Sequence, residues 1–234
     1  MRRGLLSALL IAGVSAPALA DCRAEVMEAL EKQRTSGAFR METQMLGEQG
    51  PMKMVVDYKL PDRVHQTVTV VINPVPVETI LVGDKAWIND GKGWSELGGE
   101  QAKELADQVK QTVGQSLAPD LGSFACLGTV VVDGRELISY RSEDDAPKDE
   151  AVKEIKHKKT PEELAKEKEQ QEKAPVRMFF IDPATGLPAR TTYALKNKLD
   201  KPFFKAVYSY PKDIKIEPPA KVEAPAKAEA PAKK

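Results

Sequence analysis

From Phe39 to Ile72 the chain alternates apolar and polar residues with a period of two, and no other feature limits its fold as strongly. Successive side chains of a strand point to opposite faces, so such a run has one face to bury and one to leave in water. Phe39, Met41, Thr43 and Met45 share one face of a first run, against Arg40, Glu42 and Gln44. Met52, Met54, Val56 and Tyr58 share a face of a second. Val64, Gln66, Val68, Val70 and Ile72 share a face of a third, and His65 falls on its more polar side. The turn at residues 47–51 and the Pro61-Asp62 break are short, so the three runs are expected to pair as antiparallel strands. Asn73-Pro74-Val75-Pro76 reads as a kinked connection, because proline cannot donate a ladder hydrogen bond.

The pattern continues from Thr79 to Leu97, where Gly83-Asp84 and Asp90-Gly91 are hairpin turn signals between short apolar runs. Both tryptophans of the protein, Trp87 and Trp94, lie in this stretch. Two such large side chains define a hydrophobic surface, which is either an ordinary packed core or the wall of a cavity for an apolar ligand. Four of the seven methionines, Met41, Met45, Met52 and Met54, sit on the apolar faces of the first hairpin. Methionine fills irregular gaps and suits surfaces that fit varied ligands, so the same two readings apply. Further strands are expected at 124–133, 136–142, 176–182, 189–195 and 203–210.

Two segments have helical spacing instead. Residues 22–34 place Cys22, Val26, Ala29 and Leu30 on one face and charged residues on the others. Residues 100–114 place Ala102, Leu105, Ala106, Val109 and Val113 on one stripe, poor in large side chains. A stripe of that kind can lie against a sheet or act as a removable lid.

Residues 1–20 carry Arg2 and Arg3, an apolar run from Leu5 to Val14, and Ala18-Leu19-Ala20, which is the pattern of a secretory signal peptide cleaved after Ala20. The chain is therefore expected to be exported to the periplasm. Cys22 and Cys126 are its two cysteines, and in an oxidising compartment a single pair most simply forms one disulfide. Without Arg2 and Arg3 the 35 basic residues become 33 against 35 acidic, a balance that argues against a nucleic-acid partner. Residues 143–175 are dense in Glu, Asp and Lys and read as a charged, partly helical insertion; Thr160-Pro161-Glu162-Glu163 is a capping box. Residues 213–234, with their Glu-Ala-Pro-Ala-Lys repeat, read as a disordered tail, leaving 21–212 as one domain, expected to be monomeric.

The sequence contains no Gly-x-Ser-x-Gly elbow, no phosphate-binding glycine loop and no His-Glu-x-x-His, and its two histidines, His65 and His157, lie far apart. Neither catalytic residues, nor a metal site, nor a cofactor is expected. Asp90 and Asp182 read as turn residues rather than as a general acid and base.

An N-terminal helix, a run of antiparallel strands, the hairpin Val82-Gly83-Asp84-Lys85-Ala86-Trp87 followed by Gly91-x-Gly93-Trp94, a central helix, and the late turn from Ile181 to Arg190 make up an order of elements. That order resembles the LolA-like lipoprotein-carrier superfamily over roughly residues 22–212. The resemblance implies an α+β fold: a strongly curved antiparallel β-sheet, an incomplete β-barrel, whose open concave side is covered by helices. It also implies an apolar cavity that holds an acyl chain, a lipid or a lipoprotein without a cofactor. The Leu60-Pro61-Asp62-Arg63 step looks like the family's Pro-x-Arg before a strand, and in the lipoprotein carrier an arginine in this neighbourhood helps close the lid.

On this reading the cavity is lined by Phe39, Met41, Met45, Met54, Val56, Val68, Val70, Ile80, Val82 and Trp87, with Trp94, Leu105 and Val109 at its rim or lid. The competing reading is an envelope scaffold with a self-filled core, acting on a protein partner through the charged insertion and tail.

Overall fold

The computed structural model describes residues 21–47, 50–114, 122–143 and 174–222. The expected signal peptide, nearly all of the charged insertion and the tail beyond 222 lie outside these residues. Helix α1 spans Cys22–Arg34. Asp21 caps it by accepting a hydrogen bond from the Ala24 amide at 3.1 Å, which satisfies one of the helix's orphan donors. Strands β1 (Ala38–Gly47), β2 (Gly50–Lys59), β3 (Arg63–Val70), β4 (Asn73–Val82), β5 (Lys85–Asn89) and β6 (Trp94–Glu96) follow, then helix α2 (Gly99–Gly114). The second half supplies β7 (Phe124–Val132), β8 (Arg135–Ser142), β9 (Pro175–Asp182), β10 (Leu187–Leu195) and β11 (Phe204–Ser209).

All eleven strands form one antiparallel sheet in the order β6-β5-β4-β3-β2-β1-β11-β10-β9-β8-β7. Neighbours in the sheet are consecutive in the chain everywhere except at the centre, where β1 pairs with β11 and joins the two halves of the chain. The sheet is not closed, since β6 and β7 are its two edges. It is the curved, incomplete barrel of an α+β fold. Asp133 and Gly134 both have positive φ, 50° and 76°, as the two-residue turn between β7 and β8 requires.

The connection expected at residues 73–76 is instead the start of β4. Val68 pairs with Val77 but Val70 pairs with Asn73, so β4 takes four steps where β3 takes two. The surplus backbone of this irregularity accommodates Pro74 and Pro76, which lack ladder donors, without ending the strand.

The helices divide one face of the sheet. α1 packs on β7, β9 and β10, and α2 packs on β4 and β5. Under α1 lie Val26 and Ala29 with Phe124, Tyr140, Phe179 and Ile181. Under α2 the stripe Ala102, Ala106, Val109 and Val113 meets Val56, Tyr58, Val64, Leu81 and Ala86. The disulfide Cys22–Cys126 ties the first turn of α1 to β7 across 104 residues of sequence, with the Cα atoms 5.4 Å apart.

The packed chain extends past residue 212, where the domain was expected to end. Beyond β11 the backbone crosses the face opposite the helices, where Ile214 and Ile216 are only 6% and 3% exposed against Ile80 and Trp87. Lys59 Nζ donates to the Ile214 carbonyl at 3.4 Å and Arg63 Nη1 to the Ile216 carbonyl at 2.9 Å. Two large apolar side chains at alternate positions can bury themselves where a Pro/Ala/Lys repeat cannot, and this separates 213–216 from the rest of the tail.

Candidate functional site

Register decides which residues face the helices. Phe39 opposes Tyr58, Met41 opposes Val56 and Tyr208, and Thr43 opposes Met54 and Ala206. Directly opposed residues of an antiparallel pair share a face, so this row continues the apolar surface from β2 through β1 to β11. The row runs between the two helices, and a cleft opens there.

The inner part of the cleft has a volume of about 150 Å³, lined by Leu30 and Gln33 of α1, Phe39, Met41, Tyr58 and Tyr208 of the sheet, and Val113 of α2. Outside it lies a recess of about 350 Å³ bordered by Glu31, Arg34, Leu60, Pro61, Lys110 and Val113. Arg34 and Val113 belong to both spaces. The floor is aromatic: Phe39 stacks on Tyr58 with centroids 4.5 Å apart and meets Tyr208 edge-on at 6.5 Å. At the mouth Arg34 pairs with Glu31, and Lys110 lies 3.7 Å from Asp107.

Apart from Arg34 at the boundary of the two spaces, the polar groups inside are neutral. Burial pushes the Tyr58 phenol up to about 12. Burial also raises Tyr208 and Tyr210. Tyr210 is held by two hydrogen bonds, accepting from Gln33 Nε2 at 3.0 Å and donating to the Pro188 carbonyl at 2.8 Å. Under α1 the Tyr140 phenol is raised by burial and by its hydrogen bond to Glu25. Thr43 Oγ1 is fully buried in the same row and has no hydrogen-bond partner. The surface is apolar with uncharged hydroxyls, which suits hydrocarbon and gives no nucleophile–base pair. Among the described residues no cluster of three His, Cys, Asp or Glu could hold a metal ion.

The expected lining residues separate into groups. Phe39 and Met41 line the cleft. Met54 and Val56 lie on the same face in the core beneath α2, and Val109 and Leu105 of α2 pack there too. Val68 continues that face, half-buried opposite Met54 and Val77. Met45 and Val70 share it as well, but at the far strand tips, where they border a separate groove.

Ile80, Val82 and Trp87 do not line the cleft. Leu81 opposes Ala86 and both face α2, so their neighbours Ile80, Val82 and Trp87 turn to the opposite face by the period of two. Trp94 packs with them and not beside α2. The physical reason is room: the alanine-rich stripe of α2 approaches closely over Ala86, whereas an indole at that level would hold the helix off. Arg63 also faces away from the lid and binds the C-terminal segment.

Tyr208, Gln33 and Val113 were absent from the expected lining. Tyr208 alternates correctly in the sequence, but only the pairing of β1 with β11 brings it beside Met41.

No protein-family model matches the sequence, and no curated protein matches it. Among solved structures, the lipoprotein LppX of Mycobacterium tuberculosis is similar at 15% identity with a TM-score of 0.51, covering 84% of this chain and 98% of that one. LprF of Mycobacterium bovis is similar at 10% identity with a TM-score of 0.50, covering 86% and 97%. A LolA-superfamily protein of Nitrosomonas europaea matches at 8% identity and a TM-score of 0.28, covering 81% and 92%, a level that carries no argument of its own. At such identities the likeness concerns architecture. This chain has the fold of LppX and LprF, a curved, incomplete antiparallel barrel of the kind expected from its order of elements.

Proposed function

We propose that the protein is a periplasmic, non-enzymatic carrier or sensor that holds an acyl chain, a lipid or the acylated part of a lipoprotein in the cleft between α1 and α2. The observation that supports this reading is the divided cover of the apolar face, with an aromatic and methionine floor left between the helices. The inner space of about 150 Å³ has room for roughly five water-sized groups, so a longer chain requires a wall to move. α2 is that wall. It packs mainly on β4 and β5 and presents alanines and valines to the sheet, whereas α1 is fastened by the disulfide. Each methylene taken from water contributes about 0.8 kcal/mol, which offsets the exposure of so small a stripe.

The small inner volume also favours a second reading, a scaffold whose face is filled by its own side chains. Titration of the purified protein with a fluorescent fatty acid, together with native mass spectrometry, separates the two. The carrier should bind, and Met41→Trp, which fills the cleft, should weaken binding at least tenfold while the thermal midpoint holds. A lipid-free protein that takes up no fatty acid leaves the scaffold.

A further inference from the structure

A second apolar surface lies at the strand tips, where most of its lining residues sit on the face away from the helices. It is a groove of about 700 Å³ formed where the β1–β2 tip, the β3–β4 turn and the β10–β11 connection meet. Backbone hydrogen bonds hold these pieces together: the Leu46 amide donates to the Phe203 carbonyl at 3.1 Å and the Val71 amide to the Pro51 carbonyl at 3.2 Å. The groove is therefore built in advance. Three of its apolar residues stay in water, Leu46 70%, Val71 69% and Phe203 43% exposed. Three side chains of that exposure within one turn-to-turn contact form a patch of the kind that monomeric soluble proteins rarely leave uncovered.

The rim identifies what covers it. Lys53 and Lys205 flank Gln44 from the neighbouring strands, and Lys201 borders the same groove. Among the described residues the acidic groups nearest in sequence or space are Glu42, 3.9 Å from Lys53, and Asp200. Three lysines and no carboxylate among the described lining residues, around protruding aliphatic and aromatic side chains, match an anionic bilayer surface: apolar side chains enter the interface while lysines attract the headgroups. A protein partner of mixed charge would not need the bias.

We propose that this strand-tip face docks the protein peripherally on anionic phospholipid membranes. The inner-facing row Phe39, Met41, Thr43 and Met45 ends at the same tips, so a docked molecule has the far end of its apolar row against the bilayer. The proposal does not depend on what the cleft binds.

Co-sedimentation of the purified protein with phosphatidylcholine vesicles, with and without phosphatidylglycerol, tests it. Binding is expected only to the phosphatidylglycerol vesicles and should fall as salt rises. Lys201→Glu with Lys205→Glu should weaken it about tenfold or more, and Leu46→Ser with Phe203→Ser should do the same without changing charge. Both double variants should keep the fatty-acid affinity measured without vesicles, so failure here is distinct from failure of the cleft reading. No association with anionic vesicles at low salt, or association that both variants leave unchanged, overturns the proposal. A concentration-dependent dimer that Leu46→Ser abolishes, in a protein that ignores vesicles, also overturns it and assigns the face to a second copy.

Discussion

Tyr58 owes its character to position, since a phenol that ordinarily titrates near 10 is held to about 12 by burial alongside Phe39 and beneath α2. Tyr140, Tyr208 and Tyr210 are raised too. Because the folded state holds these protons more tightly than the unfolded chain, their contribution to stability is complete below about pH 10 and is lost as pH climbs through the folded values. A tyrosinate absorbance titration should therefore show Tyr58 silent near pH 10 and ionising only near pH 12, with Tyr140, Tyr208 and Tyr210 also ionising late, together with unfolding. Four ionisations at pH 10 with the circular dichroism intact would contradict the burial described here. Thr43 offers a test of opposite sign. Its hydroxyl is buried without a partner, a cost of about 1 kcal/mol or more, so Thr43→Val should raise the thermal midpoint. A lowered midpoint would mean that the hydroxyl is satisfied in solution.

Among the elements, α1 and α2 have similar tasks and different fastening. α1 carries the disulfide, whose 104-residue loop corresponds to about 4 to 5 kcal/mol on the chain-entropy account. Replacing both cysteines with serine should lower the midpoint by about 10 °C or more in a domain of this size. α2 has no such tie. Hydrogen exchange should find its amides opening more readily than those of α1, and fatty acid should alter exchange in α2 and leave α1 nearly unchanged. Equal protection of the two helices would remove α2 as the moving wall. The C-terminal segment behaves as a strap for the opposite face. Ile214→Ala with Ile216→Ala should cost about 2 kcal/mol per site and shift Trp87 fluorescence to longer wavelength, because the two isoleucines cover that indole. Unchanged emission would show that the strap is detached.

At the scale of the molecule, the cleft and the strand-tip groove share no lining residue, so the proposed ligand binding and the proposed membrane docking can be disabled separately. That separation was only partly legible in the sequence. Most of the strands are evident from alternation, and both helices from their stripes, because local periodicity records which side chains share a face. The assignment of a face to the inside is not local. Leu81 and Ile80 are equally apolar neighbours, and α2 covers Leu81 while Ile214 and Ile216, more than 130 residues later, cover Ile80. With both faces of β4 and β5 buried, period-two reasoning loses the contrast on which it depends. Trp87 and Trp94 were misplaced for this reason, and so was the end of the domain.

What the sequence by itself determined is most of the strands, the two amphipathic helices and the single cysteine pair. Each is carried by residue type and short spacing. What only the tertiary structure decided is the β1–β11 pairing that brings Tyr208 beside Met41, the division of one face between two helices, and the choice of which apolar row is covered by helix, by strap or by nothing. Those depend on contacts between segments far apart in the chain, whose energies are summed only once the sheet has formed.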